Sequence, residues 1–461
     1  MHPVPSIAEA AADIETGKLS PVALAEACLA RIEASEARIN SFIHLDKARA
    51  LSEARKAEAE IREGHPRGPL HGIPFAHKDI YETGGLATTA HSRLLEDYIP
   101  RRDAHTVAKL SEAGVVPFGK LATHEFAWGG PSFDLPWPPA RNPWNTEHFT
   151  GGSSSGTGAA VAAGFILGGT GSDTGGSIRT PSSFCGLAGI KPTYGLLSRS
   201  GIQPLAFSLD HAGPLAWTAE DCAILLDAMA GHDPADPASA KIDLPSFRAS
   251  IGGGIAGLRI GVVRHFFETD TSISNDVGAA FETSIGVLRQ AGAAITDVRL
   301  PPLDDWFSCG MILMISEAYS VHEPWLKERY TDYGEYFRDR CALGAFITSA
   351  DYMAAMRLRR ELRAALAKVM TSVDVLALPT TATSAPRMDA MTKYGSFEAS
   401  TFTMPFNVSG TPALSICNGF DAQGLPLSMQ IVGRPFEDAH VLRVGHTYER
   451  MTSWRDRRPT L

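Results

Sequence analysis

The residues best suited to chemistry lie in a stretch rich in glycine, serine and threonine between Thr150 and Thr180. It reads TGGSSSGTGAAVAAGFILGGTGSDTGGSIRT, with Gly-Gly-Ser turns near its ends at Gly151–Ser153 and Gly175–Ser177. Glycine permits a tight turn or a close approach of the backbone to another group. Two such turns, each presenting a hydroxyl, predict a site where backbone N–H groups and serines converge on a small ligand.

Phosphate binding fits this stretch poorly, although glycine-rich turns before helices often bind phosphates. The segment GGSSSGTG lacks the Gly-Lys-Ser/Thr ending of a P-loop. There is also no strict GxGxxG, because the third position after Gly171 is Thr174. The pattern therefore argues against a nucleotide-binding site.

A Ser-His-Asp triad is also poorly supported. The nucleophile elbow GxSxG is absent around Ser177, which is followed by Ile178. His77 and His124 lie nearest to predicted strand ends, but nothing singles out either as a base. Cys185 is a weaker candidate nucleophile, since a cysteine among apolar neighbours is usually a small core residue.

Lysine chemistry is the third possibility. Lys78 follows a short apolar run, Ile73–Ala76. It is either a surface group paired with Asp79 or a buried base. Burial lowers the pKa of a lysine from about 10.4 toward 7–8, and the neutral amine then takes a proton from a serine hydroxyl.

Strand and helix patterns alternate along the chain, which predicts an α/β fold. Strands are predicted at 73–76, 115–119, 165–169, 258–263, 293–300, 373–378, 412–417 and 426–432. Helices are predicted at 6–16, 22–34, 45–64, 103–113, 155–163, 177–185, 276–291, 352–370 and 437–451. Because the alternation continues to the end and no linker interrupts it, one large domain over residues 1–461 is expected.

Composition and charge narrow the partners and the compartment that are expected for this chain. The net charge of -9 and the pI near 5.9 argue against a nucleic-acid-binding surface. The six cysteines show no CxxC and no zinc-ligand spacing, as expected of reduced thiols in a cytoplasmic protein. No signal-peptide pattern begins the chain, and the longest apolar run, 158–169, is too short to span a membrane.

Several ordered motifs resemble those of the amidase signature family. They are HGIPFAHKD (71–79), NPW (142–144), GGSSSG (151–156), GSDTGGSIR (171–179), CGLAGIKPT (185–193), SLDHAGP (208–214), PFNVSGTP (405–412) and GLPLSMQIVG (424–433). The core motifs fall in 69–215 and 400–435, and the segment 233–352 is more variable. The resemblance implies a single α/β/α domain, with a mixed central β-sheet covered by helices on both faces. It also implies amide hydrolysis without a metal or cofactor.

The resemblance assigns roles to three side chains. The family uses a Ser-Ser-Lys triad, with Lys78 as the base, Ser153 as the bridging serine and Ser177 as the nucleophile. The bridging serine is expected to follow a cis peptide bond, and Ser154 is the alternative for this role. The turn before the nucleophile is expected to form the oxyanion hole. Its N–H groups belong to Thr174, Gly175, Gly176 and Ser177.

Two aromatic residues are candidates for substrate binding. Phe126 and Trp128 lie before Asn142–Trp144, where the family lines its acyl pocket. Trp128 is equally an ordinary core aromatic; in a pocket it would favour an aryl or compact apolar acyl group. Arg179 is expected to form a structural ion pair, with Asp173 as the candidate partner, rather than to bind substrate.

Two family functions compete for this chain, a free-standing amidase and the glutaminase A subunit of a tRNA-dependent amidotransferase. That subunit works with a second protein, to which it supplies ammonia. It places an acidic residue for the glutamine amino group before its PxNxxGxP segment, whereas residues 394–404 contain no Asp and only a misplaced Glu398. The sequence therefore favours a free-standing amidase with a small amide substrate and no nucleic acid or membrane partner. The resemblance adds the homodimer as the assembly to expect, because dimers are common in the family. A catalytically silent scaffold fits less well, since all three triad positions are filled.

Overall fold

The protein is built around one mixed β-sheet in the computed structural model, which describes residues 4–128, 130–397 and 400–461. Within those residues the sheet has eleven strands. They are β1 (Phe42–Leu45), β2 (Pro74–Lys78), β3 (Val116–Leu121), β4 (Gly168–Asp173), β5 (Ala188–Lys191), β6 (His211–Ala216), β7 (Arg259–Val262), β8 (Ala294–Asp297), β9 (Val375–Pro379), β10 (Ala413–Phe420) and β11 (Pro426–Val432). Their order across the sheet is β1-β3-β2-β4-β6-β5-β10-β11-β9-β7-β8.

Helices cover this sheet and confirm the predicted α/β class. They are α1 (Ile7–Glu15), α2 (Pro21–Ile39), α3 (Lys47–Arg62), α4 (His105–Glu112), α5 (Ser155–Ala162), α6 (Arg179–Cys185), α7 (Ala219–Met229), α8 (Phe247–Ser250), α9 (Asn275–Gln290), α10 (Leu303–Glu328), α11 (Glu335–Cys341), α12 (Ser349–Val369), α13 (Met404–Ser409) and α14 (Asp438–Arg450). Within the described ranges, none of the helices is both long enough and apolar enough to cross a membrane.

Two parallel strands carry the catalytic candidates. β2 and β4 pair Phe75 with Gly168 and Ala76 with Gly169, so their carboxyl ends lie at the same edge of the sheet. Every residue of both strands is buried. Lys78, the last residue of β2, is therefore held inside the protein.

The strand predicted at 165–169 begins later in the structure, at Gly168, and ends at Asp173. At its three glycines, Gly168, Gly169 and Gly171, an added side chain would crowd against neighbouring residues. A Cβ atom at Gly171 would lie 2.4 Å from Leu215 Cδ1 and 3.0 Å from Ser154 Oγ. Because glycine weakens the apolar pattern of a strand, the sequence places this strand too early.

Candidate active site

A cavity of about 430 Å³ lies beside the end of β4. Both predicted catalytic serines, Ser153 and Ser177, contribute to its wall. So do the residues predicted to form the oxyanion hole, which are Thr174, Gly175 and Gly176. The two Gly-Gly-Ser turns, 24 residues apart in sequence, therefore meet at one surface.

Lys78 approaches the same turns from the interior. Its side chain is fully buried. Nζ lies 2.7 Å from Ser153 Oγ, 3.1 Å from Ser154 Oγ and 2.9 Å from Ser172 Oγ. The structure thus brings together the lysine and the first of the two predicted serines, which are 75 residues apart.

Burial lowers the pKa of Lys78 from 10.5 to about 7, while the negative charges of Asp173 and Asp210 oppose the shift. The alternative of a surface lysine paired with Asp79 is wrong. Asp79 Oδ1 instead lies 3.1 Å from Nζ of Lys120, and both of those side chains are fully buried. No ion pair is found for Lys78 in the described part of the chain, so its amine is surrounded by hydroxyls.

Ser153 and Ser154 occupy different positions relative to the cavity. The Gly152–Ser153 peptide bond is cis, and Ser153 lines the cavity. Ser154 is turned inward, where its Oγ accepts from the N–H of Ser172 at 3.3 Å and donates to the carbonyl of Ser172 at 3.4 Å. The geometry therefore favours Ser153 over Ser154 for contact with a substrate.

Ser177 lies in the turn between β4 and α6, half-buried against the cavity. Its carbonyl accepts a hydrogen bond from the N–H of Ser154 at 3.3 Å. Its hydroxyl makes no hydrogen bond within the part of the chain that the structure describes. Catalytic hydrogen bonds are often long or misaligned without substrate, so this geometry does not count against the predicted role.

The predicted oxyanion hole needs one correction. The N–H of Gly176 donates to Asp173 Oδ1 at 2.8 Å, so it is already occupied by a carboxylate. The N–H groups of Thr174, Gly175 and Ser177 donate to no group among the described residues. Thr174 is fixed by its hydroxyl, which donates to Asp210 Oδ1 at 2.6 Å. The N–H groups of Thr174, Gly175 and Ser177 are therefore the available donors beside the nucleophile.

The expected ion pair between Arg179 and Asp173 is present and fully buried. Arg179 donates from Nε to Asp173 Oδ2 at 3.0 Å and from Nη2 to Oδ1 at 2.8 Å. Nη2 also donates to Asn407 Oδ1 at 2.6 Å. Burial alone would raise the pKa of Asp173. The positive charge and the hydrogen bonds of Arg179 outweigh this effect and hold the pKa of Asp173 below its ordinary value. Arg179 is thus committed to the structure.

The two aromatic residues predicted to bind substrate, Phe126 and Trp128, differ in their position relative to the cavity. Trp128 lines the cavity and packs against Phe337. Phe126 does not face the cavity, which corrects the prediction. Its φ of 44° turns the side chain into the core, where its ring centroid lies 4.4 Å from that of His322 and 5.3 Å from that of Phe337. A positive φ is rare for an aromatic residue and is not visible in the sequence.

Among the lining residues that were not identified from the sequence as site residues, Arg340 and His124 have side chains that can carry a positive charge. Arg340, at the end of α11, is 2% exposed and lines the cavity. It lies in the variable segment, where no family motif marks it. His124 also lines the cavity; its position after a predicted strand is the only signal for it. Glu398 lies outside the described residues.

A mixed α/β sheet that holds a buried lysine against serine hydroxyls, beside a cavity, defines a class of enzymes distinct from the Ser-His-Asp hydrolases. The family model named Amidase matches residues 23–442. The chain therefore belongs to the amidase signature family, whose members act on amide C–N bonds, and it is an enzyme.

Similar proteins cover almost the full length. The chain is 39% identical to the A subunit of the glutamyl-tRNA(Gln) amidotransferase of Chloroflexus aurantiacus, over 99% of this chain and 98% of that protein. A solved structure from a vestigial protein complex, described as revealing the origins of an s-triazine catabolic enzyme, is 32% identical with a TM-score of 0.91. That match covers 97% of this chain and 98% of the other. The native peptide amidase of Stenotrophomonas maltophilia is 30% identical with a TM-score of 0.85, over 99% of both chains.

These similarities correct the expectation about partners. The sequence argument allows only a small amide substrate and a second copy of the chain, with no nucleic acid. The relatives, however, are named as subunits of an enzyme that acts on glutamyl-tRNA. A subunit has protein partners by definition. The expectation that the partners are limited to a small amide and a second copy of the chain is therefore wrong. The comparisons favour the amidotransferase alternative over the free-standing amidase.

Proposed function

We propose that this enzyme hydrolyses a small carboxamide through an acyl-enzyme on Ser177. The supporting observation is the 2.7 Å contact between Lys78 Nζ and Ser153 Oγ, beside a cavity lined by both serines. A serine hydroxyl is a poor nucleophile until a base takes its proton. With a pKa of about 7, a large share of Lys78 is neutral at neutral pH and able to act as that base.

In the proposed mechanism, Lys78 takes the proton of Ser153, and Ser153 takes the proton of Ser177. The Ser177 oxygen adds to the amide carbonyl, and the N–H groups of Thr174, Gly175 and Ser177 donate to the oxyanion. The C–N bond breaks as Ser153 passes a proton to the leaving nitrogen, which departs as ammonia or an amine. Water then adds to the acyl-enzyme by the same proton route and releases the carboxylic acid.

Arg340 supports a substrate that carries a carboxylate. Its guanidinium lies in the cavity wall, where its Nε donates to the carbonyl of Lys393. Arginine binds a carboxylate through two parallel hydrogen bonds. L-Glutamine meets this requirement, and so does glutaramate, its analogue without the amino group.

The relatives support ammonia as the useful product. A protein that matches this chain over nearly its whole length is named as the A subunit of an amidotransferase. The proposed role is therefore the ammonia-releasing component of such an assembly, in which partner proteins deliver ammonia to an acceptor carried by tRNA.

The first test is the nucleophile. Ser177→Ala is expected to lower ammonia release by at least about 10⁴-fold, since an activated nucleophile and its base act as one unit. Ser246→Ala, which removes a hydroxyl that caps α8 far along the chain, is the control and should keep full activity. Intact-mass detection of an acyl adduct on the wild type, absent from Ser177→Ala, completes the test. Near-wild-type turnover by Ser177→Ala would overturn the mechanism.

The second test compares L-glutamine, glutaramate and pentanamide, which lacks the carboxylate. We expect kcat/KM for pentanamide to be lower by roughly 10–100-fold, the value of a charge-assisted hydrogen bond. Arg340→Gln should remove this difference. With the partner proteins of its own organism, the enzyme should also amidate glutamyl-tRNA from L-glutamine. High activity on neutral amides, together with no amidation, would instead identify a free-standing amidase.

A further inference from the structure

Behind the wall of the catalytic cavity lies a second cavity of only about 10 Å³. Three different loops contribute to it, through His91, His124 and Ser132. His124 belongs to the walls of both cavities. A volume of this size is at the lower limit of what one water molecule needs.

Each of these three side chains carries one polar atom that is buried and has no partner among the described residues. These atoms are His91 Nδ1, His124 Nε2 and Ser132 Oγ. The three residues are 3%, 9% and 5% exposed, respectively. Buried polar groups in proteins are almost always hydrogen-bonded. Three exceptions around one small cavity therefore indicate a bound molecule that pairs with all of them.

The hydrogen-bonding character of these atoms matches water. His91 Nε2 lies 3.1 Å from the carbonyl oxygen of Trp137. Because a carbonyl only accepts, Nε2 carries the proton, and Nδ1 of the neutral ring is an acceptor. Ser132 can donate or accept, and a neutral imidazole at His124 has one atom of each kind. Water, with two donors and two acceptors, satisfies this set, whereas an anion offers no hydrogen to His91 Nδ1. Among the described residues, no group of three or more His, Cys, Asp or Glu side chains is placed to hold a metal ion.

We propose that this cavity binds one water molecule that joins His91, His124 and Ser132, and that His124 thereby positions Ser153. The second part rests on the proposed role of Ser153 as the proton relay. The water holds the imidazole of His124 at Nε2, and the contacts of the ring with Gly152 then transmit that order to the relay.

Those contacts are close. A Cβ atom at Gly152 would lie 2.1 Å from His124 Cε1, so the ring packs directly against the Gly152–Ser153 peptide. The main-chain N–H of His124 donates to the carbonyl of Ser153 at 3.1 Å. Phe149 stacks on the ring, with 5.6 Å between centroids. The position of Ser153 therefore depends on where the His124 ring is held.

A high-resolution crystal structure of the full chain tests the binding site. We expect a water oxygen within roughly 2.7–3.2 Å of all three polar atoms. The Ser177→Ala protein should keep this water, so the site is testable even if the proposed mechanism fails. A dry cavity, a metal ion, or direct hydrogen bonds between the three side chains would overturn the proposal.

Kinetics test the positioning role. His124→Phe keeps an aromatic ring but loses the water contact, and we expect kcat to fall about tenfold or more while KM changes little. Ser132→Ala should give a smaller fall in kcat, and Ser132→Thr, which keeps the hydroxyl, should restore it. His265→Phe is the matched control, because His265 is also buried with an unpartnered Nε2 but lines neither cavity. An unchanged kcat in His124→Phe, or an equal fall in kcat in the His265→Phe control, would overturn the positioning role. If His124→Phe does not fold, the comparison of Ser132→Ala with Ser132→Thr tests the role instead, and equal kcat values in those two variants would overturn it.

Discussion

Asp173 and Arg179 form a bidentate ion pair next to the turn that presents Ser177, with N–O distances of 2.8 and 3.0 Å. The same carboxylate accepts the N–H of Gly176 at 2.8 Å and that of Ile178 at 3.1 Å. One buried pair of charges therefore fixes the backbone on both sides of the proposed nucleophile.

Arg179→Met is expected to lower the free energy of unfolding by about 3–5 kcal/mol, because it leaves a buried carboxylate without its partner. Denaturant-induced unfolding, followed by fluorescence, measures this change. Arg259→Met is the matched control: Arg259 pairs with Asp374 at 2.7 Å, but its side chain is 46% exposed. Exposed pairs contribute no more than about 1 kcal/mol. Equal losses in the two variants would show that the buried pair has no special role.

The activity is expected to rise with pH through the pKa of Lys78, about 7. Below this value the ammonium form of Lys78 has no lone pair and cannot take the proton of Ser153. The logarithm of kcat/KM should therefore increase with a slope near one on the acidic side and reach a plateau above about pH 8. A steady-state pH profile checks this, and a flat profile between about pH 5.5 and 8.5 would contradict it.

The same pKa shift predicts a dependence of stability on pH. The pKa of Lys78 falls from 10.5 to about 7 on folding. Between these values the unfolded chain binds a proton that the folded chain does not, so stability rises with pH by up to about 1.4 kcal/mol per unit. Lys78→Met lacks this contribution.

The difference in free energy of unfolding between Lys78→Met and the wild type should therefore shift steadily in favour of the wild type from about pH 7 to 10. Unfolding curves of both proteins at several pH values measure the difference. Parallel curves would indicate that the lysine stays protonated in the folded state.

Gly152→Ala is expected to reduce kcat by about 100-fold, because displacement of the relay by a fraction of an ångström is costly. The added Cβ would lie 2.1 Å from His124 Cε1. Gly286→Ala serves as the control, since its Cβ would meet nothing within 4 Å and it lies in the interior of α9. The control should keep full activity and gain up to about 1 kcal/mol in stability. Comparable activity in the two variants would contradict the contact.

Much of the fold and the site follows from the sequence. The apolar run before Lys78 and the two Gly-Gly-Ser turns indicate a buried base near two hydroxyls. The ordered motifs then assign Lys78, Ser153 and Ser177 to one triad. Packing then brings the lysine within 2.7 Å of Ser153. These features are predictable because they depend on local composition and on motifs that keep their order.

Other features depend on three-dimensional contacts that local sequence does not encode. The occupied N–H of Gly176 depends on the side-chain direction of Asp173. The inward turn of Phe126 depends on a left-handed backbone that only its packing partners stabilise. Arg340 reaches the cavity from α11, which carries no recognisable motif. Each of these was settled by tertiary packing rather than by local propensity.

The three hydroxyls around Lys78 have a consequence for how the enzyme stores a proton. An ammonium group has three N–H donors, one for each of Ser153, Ser154 and Ser172. A neutral amine has only two, so one hydroxyl must rotate and donate to its lone pair. The same cage therefore holds both protonation states, and the exchange between them requires the rotation of a single O–H bond and no movement of the backbone. Inactivation by mild acid should accordingly be immediate and fully reversible.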